Sequence, residues 1–180
     1  MGVNYEELEN KVDKLFSDID FDSEYEKTID VVSIASKLGF KVANAILDDD
    51  ADGFVVVDKN ARSILNINTT KLIVVNNERS IEWKRFIVAH ELAHYVLHYD
   101  NDNDQGIYAH RDHRVGKNKY ENDADYFAAA LLMPRKVFRE KYQELKENKV
   151  TGDYATILAE KFEVTYKMAF RRIQELSLNE

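Results

Sequence analysis

The sequence of 180 residues has no cysteine, one proline (Pro134), one tryptophan (Trp83) and six glycines. Without thiols there can be no disulfide framework, cysteine nucleophile, iron–sulfur cluster or thiolate zinc site. A metal, if one is held, must be held through nitrogen and oxygen by His, Asp or Glu. No apolar run approaches the ~18 residues that suggest a membrane-spanning helix. The N-terminal stretch MGVNYEELENKVDKLF lacks a basic start followed by an apolar run, so no secretory signal is expected. Glu6 breaks the Met-Gly acylation pattern, which requires Ser or Thr there. The expectation is a cytoplasmic protein, with Asn68-Thr69-Thr70 a turn rather than a glycan site.

Charge is plentiful but uneven. The net charge is −8, from 33 acidic and 25 basic residues. Residues 1–60 hold 15 acids and 6 bases, residues 61–134 hold 10 and 9, and residues 135–180 hold 8 and 10. An acidic front half repels nucleic acid, and only the tail could approach a phosphate backbone. A cationic partner protein suits this distribution better than DNA. Apolar residues at 44% are enough for a real core.

Periodicity divides the chain into helical ends around a strand-rich segment. Tyr5–Phe16 places Leu8, Val12, Leu15 and Phe16 at helical spacing. A second helix is predicted from an N-cap at Ser23 to Leu38, ending at Gly39. Short β-branched runs follow at Phe40–Leu47, Phe54–Asp58, Ser63–Ile67 and Leu72–Val75, with Asp52-Gly53 as a turn. They predict an antiparallel sheet of three or four strands. Ile81–His98 is apolar around most of its circumference and should be a buried helix. Tyr99–Lys119 reads as a polar loop of unusual length, more often functional than not in a compact domain. Helices are then predicted at Tyr120–Met133, closed by Pro134, and at 135–147, Tyr154–Phe162 and Thr165–Leu176. The fold class is α+β, mainly helical, in a single domain over 1–180. Its residues 150–180 form a helix-turn-helix-like appendix.

All five histidines, at 90, 94, 98, 110 and 113, fall within 24 residues. His90-Glu91-Leu92-Ala93-His94 puts two imidazoles at i and i+4 on one helix face, close enough to share one metal. Glu91 is rotated about 100° from His90, so it is placed to reach a water on that metal rather than to be a third ligand. Zinc with three protein ligands keeps a fourth position for water and lowers its pKa to ~7. The pattern is that of a metallohydrolase. In the bland alternative these are core histidines, but two buried histidines and a buried Glu are costly unless paired.

The best third ligand is Glu121, at the start of the next helix, where Ala124, Ala128 and Ala129 allow close helix approach. Asp125, one turn on, could accept the outer N–H of a ligating histidine. His98 continues the i, i+4 series. A His94/His98 pair, however, would leave Tyr95 rather than a carboxylate beside the water, so His98 is assigned a supporting role.

The stretch from Arg85 to His98, RFIVAHELAHYVLH, resembles the active-site helix of the ImmA/IrrE family of metallopeptidases. Glu121–Pro134, ENDADYFAAALLMP, is similar to that family's second motif in order and spacing. The strand ending Val74-Val75-Asn76 fits as well. A looser similarity runs from about Asp30 to Leu176. The resemblance implies a gluzincin-like zinc site, with His90, His94 and Glu121 as ligands and Glu91 as general base. Asp125 departs from the family's frequent Asn. The resemblance also implies a substrate, a helix-turn-helix repressor encoded nearby, in a mobile-element, stress-response or toxin–antitoxin setting. The oxyanion donor is open among His110, Arg111, His113, Tyr120 and Tyr126, with His113 taken first.

Two further patterns are weaker. Asp48–Gly53 matches the start of a calcium loop, but its twelfth position is Lys59 where a bidentate Glu is needed. In the tail, Lys167, Arg171 and Arg172 could meet phosphates, although Met168 and Phe170 look like packing residues. The readings are therefore a zinc endopeptidase acting on a regulatory protein, a non-catalytic zinc-stabilised module that binds a repressor, and a DNA-binding regulator using its tail.

Overall fold

The computed structural model describes residues 4–22, 28–48, 51–60, 62–99 and 119–179, and the backbone of 107–113. Its elements in chain order are α1 (Tyr5–Asp18), α2 (Val31–Lys37), β1 (Lys41–Ala45), β2 (Ala51–Asp58), β3 (Lys71–Asn76), α3 (Ile81–His98), β4 (Ile107–His113), α4 (Lys119–Leu132), α5 (Arg135–Glu147), α6 (Tyr154–Phe162) and α7 (Tyr166–Glu175). The arrangement is α+β and mainly helical, as the periodicity predicts.

Five of the described helices start where short polar side chains satisfy the first free backbone N–H groups, while α5 follows Pro134 with no side-chain cap. Asn4, Ser80, Asp153 and Thr165 each accept from a backbone N–H three residues on. Asp30 does the same for α2. The second helix therefore begins at Val31 rather than after Ser23, which lies outside the described residues. It closes as expected, with Gly39 at φ +84°, in the left-handed region that glycine enters at least cost.

The sheet has the order β1-β3-β2-β4. It is mixed rather than purely antiparallel, because β1 runs parallel to β3 while β2 runs antiparallel to both β3 and β4. Two predicted loops and one predicted strand change places. Ser63–Ile67 is no strand: Leu65 and Asn66 take positive φ, and Ile64 and Ile67 bridge across the tight turn they make. Asp52-Gly53 is no turn, but lies within β2. The segment read as a long polar loop contains β4, whose backbone pairs with β2 through Asp58↔Ile107 to Ala51↔His113. It carries no alternating apolar face that periodicity could detect.

One face of the sheet packs on α3. The register sets Gly53 opposite Val75 and Val55 opposite Ile73, and Val55, Val57, Ile73 and Val75 join the core with Ile87, Val88 and Leu92 of α3. A Cβ on Gly53 would lie 2.5 Å from Ile87 Cγ2 and 2.8 Å from the Val74 carbonyl oxygen. Only glycine lets strand and helix come this close. The other side of α3 packs on α4, where Ala124, Ala128 and Ala130 are completely buried.

Candidate metal centre

Ser80 caps α3, and the helix entry is locked to the sheet through Asp52, a buried carboxylate. Asp52 accepts from Arg79 Nε at 2.6 Å and from Trp83 Nε1 at 3.0 Å. Asp52 thus has a structural partner set that neither the turn nor the calcium-loop reading anticipates. Asp49 and Asp50 of that loop reading lie outside the described residues. At mid-helix, Lys71 of β3 donates to the Tyr95 hydroxyl at 2.7 Å and to the Leu38 carbonyl at 3.0 Å. Arg85 donates to the carbonyls of Ile29 and Glu163. The rotation of α3 is therefore fixed at several heights.

This rotation sends His90 and His94 towards α4, with Nε2 atoms 2.9 Å apart. Glu121 Oε2 comes from the first turn of α4 and lies 3.3 Å from His90 Nε2 and 3.6 Å from His94 Nε2. The three ligand atoms all lie within 4.8 Å of one another, and both histidines are buried. Ala124 and Ala128 share the helical face of α4 that carries Glu121 and Asp125, and both are completely buried, which permits a close approach of α3. Asp125 Oδ1 stands 3.2 Å from His90 Nδ1 on the other side of the ring. Glu91 is fully buried and turned towards the sheet, near Gly53.

The charges here favour a cation. Burial opposes a charged His90, but hydrogen bonds to Asp125 and Glu121 and the fields of Glu91 and Asp125 outweigh it. They push the imidazole pKa up to about 10. Three carboxylates around two imidazoles, offering two nitrogens and one oxygen from converging directions, make a donor set that a divalent ion such as zinc fits.

The remaining candidates separate. His98 stands one turn past His94, ring centroids 5.5 Å apart, and makes a T-shaped contact with Tyr120, ring centroids 4.8 Å apart. It is not among the three converging ligand groups. Tyr126 faces away from the site, its hydroxyl donated to Glu9 at 2.7 Å. The backbones of His110, Arg111 and His113 lie in β4 opposite Val55, Phe54 and Ala51, and their side chains lie outside the described residues.

Sequence reasoning missed Glu9, Asp52, Gly53 and the roles of Arg171 and Arg172. Arg172 is no phosphate contact. It is completely buried, paired with Glu9 at 2.7 Å and donating from Nε to the Met133 carbonyl at 3.1 Å. Spacing held the signal, because Met168, Ala169, Arg172, Ile173 and Leu176 form one helical face. Phe170, expected to pack, is exposed and stacks on Tyr166.

No helix among the described residues is long and apolar enough to cross a membrane. Among curated proteins none matches this sequence. A solved structure described as a Mycobacterium tuberculosis transcriptional regulator is similar in fold, with a TM-score of 0.56 and 16% identity. The similarity covers 93% of this chain and 46% of that one, so this chain spans about half that protein's length. Residues 37–174 match the family model described as the IrrE N-terminal-like domain, Peptidase_M78. With most of its length matched, including both helices that bring His90, His94 and Glu121 together, the chain belongs to the ImmA/IrrE metallopeptidase family.

Proposed function

We propose that this protein is a zinc-dependent endopeptidase that hydrolyses one peptide bond in a specific regulatory protein, a helix-turn-helix repressor encoded nearby. The observation that carries the proposal is the buried convergence of His90, His94 and Glu121 with Glu91 beside them on α3. His90, His94 and Glu121 would hold the metal, which when bound supplies Lewis-acid polarisation of the scissile carbonyl and of water.

The chain's own groups do the rest. Glu91 accepts a proton from the attacking water as its oxygen bonds to the carbonyl carbon. It then delivers that proton to the amide nitrogen as the C–N bond breaks. Asp125, with Oδ1 3.2 Å from His90 Nδ1, is the proposed acceptor of the Nδ1–H, which would fix the tautomer and leave the Nε2 lone pair directed at the ligand cluster. His113 is the proposed donor to the developing oxyanion, and His98 supports the site through Tyr120. The acidic front half suits a basic, DNA-binding substrate in the cytoplasm. Residues 150–180 are proposed to act as part of the same domain rather than as a DNA reader, since Arg172 is spent on the core.

The test is to purify the protein, quantify zinc and incubate it with the product of the neighbouring repressor gene. Zinc at one per chain, discrete fragments, and a loss of cleavage by about 10²–10⁴-fold in Glu91→Gln with zinc retained are expected. Stable repressor binding without fragments, unchanged in Glu91→Gln, would instead identify a non-catalytic zinc-stabilised module.

A further inference from the structure

The C-terminal helix α7 reaches the metal centre. Asp125 divides its two oxygens between two partners: Oδ1 lies 3.2 Å from His90 Nδ1, while Oδ2 lies 3.9 Å from Arg171 Nη1. Arg171 is held from its other side by Glu175, whose Oε1 accepts from Arg171 Nε at 2.7 Å. The neighbouring Arg172 fixes the helix's rotation, because its guanidinium is wholly enclosed and bound to Glu9 and the Met133 carbonyl. One arginine locks α7 into the core, and the next delivers a cation to the carboxylate that holds a candidate ligand.

Electrostatics gives that cation a task. Glu121 and Asp125 are like charges one turn apart on the same face of α4, which disfavours their alignment. Glu91 adds a third carboxylate to the neighbourhood. Asp125 could relieve the repulsion by swinging its carboxylate towards water, and His90 would then lose the acceptor that sets its tautomer. The half-exposed guanidinium 3.9 Å beyond Oδ2 attracts that carboxylate through its charge, which opposes the swing and keeps Oδ1 beside the imidazole.

We infer that Arg171 is a positioning residue of the metal centre, acting through Asp125 on His90. The inference rests on the metal-centre reading above. It gives α7 a part in the site in place of contact with nucleic acid.

Zinc affinity, measured by chelator competition, separates the outcomes without requiring a substrate. Arg171→Gln is expected to weaken zinc binding by about three- to fivefold, the upper range for a half-exposed ion pair. Arg171→Lys, which retains the charge, is expected to recover part of that loss. In an Asp125→Asn background the same Arg171→Gln change should alter affinity by less than about twofold, because its target is gone. The absorption bands of cobalt(II) placed in the site should move in Arg171→Gln, while the urea midpoint of the metal-free protein stays with the parent.

Unchanged or tighter zinc binding in Arg171→Gln overturns the inference. So does an equal loss in both backgrounds, which would indicate a general structural effect. A parent protein that takes up no metal defeats the metal-centre reading itself, and this inference with it.

Discussion

Glu9→Ala provides the sharpest test of how the helical layer is held. Glu9 and Arg172 form a buried pair at 2.7 Å, with Arg172 completely enclosed and Tyr126 donating to the same Glu9 oxygen at 2.7 Å. Removing the carboxylate leaves a guanidinium that cannot reach water, with the Met133 carbonyl at 3.1 Å and Glu175 at 3.9 Å among its remaining acceptors. It also removes the acceptor of the Tyr126 hydroxyl. Breaking such a pair from one side costs about 3–5 kcal/mol. For a chain of this size, each kcal/mol moves the melting temperature by roughly 2–4 °C, so a fall of roughly 6–20 °C is expected. Urea unfolding followed by circular dichroism measures the loss directly. The double variant Glu9→Leu/Arg172→Met, which removes both charges and fills the space, should recover most of it. A loss below about 1 kcal/mol in Glu9→Ala, or a double variant no better than the single, would refute this account of the pair.

Two further outcomes follow from geometry already given. Gly53→Ala drives a methyl into Ile87 and the Val74 carbonyl, so it should destabilise by about 1–3 kcal/mol in urea and weaken zinc binding through displaced α3. A stable variant with parental zinc affinity would show that the strand yields instead. With metal chelated, the raised pKa of His90 predicts a stability contribution complete below the unfolded histidine value near 6.5 and lost as pH rises through about 10. The urea midpoint of the chelated protein should fall between pH 7 and pH 10, and a midpoint that rises over that window would contradict the sign.

The sequence made some parts of this fold legible and hid others for identifiable reasons. Helix α3 appears at its predicted bounds because capping by Ser80 and an unbroken apolar circumference agree. The start of α2 was not legible, since Ser23 and Asp30 are both good caps and local chemistry does not choose between them. Ser63–Ile67 has strand composition, yet positive φ at Leu65 and Asn66 folds it back on itself. The parallel pairing of β1 with β3 depends on how the chain crosses over, which no local pattern records. Near the candidate metal centre, helical spacing alone sets His90 and His94 side by side. Bringing Glu121 to them requires two helices to dock, and the sequence offers only the alanines as a hint. Arg172 shows the opposite case, a charge read as a surface group although Met168, Ala169 and Leu176, its neighbours in the helical period, are apolar and buried.

The location of the three candidate ligands on two different helices has a thermodynamic consequence. His90 and His94 belong to α3 and Glu121 to α4, so an ion held by all three binds only while those helices are docked. Metal occupancy and helix docking are then one linked equilibrium. An ion present at 100 times its dissociation constant adds ~2.7 kcal/mol to the docked state. Metal supply in the cell would thereby set how long the chain survives, as well as whether it can act.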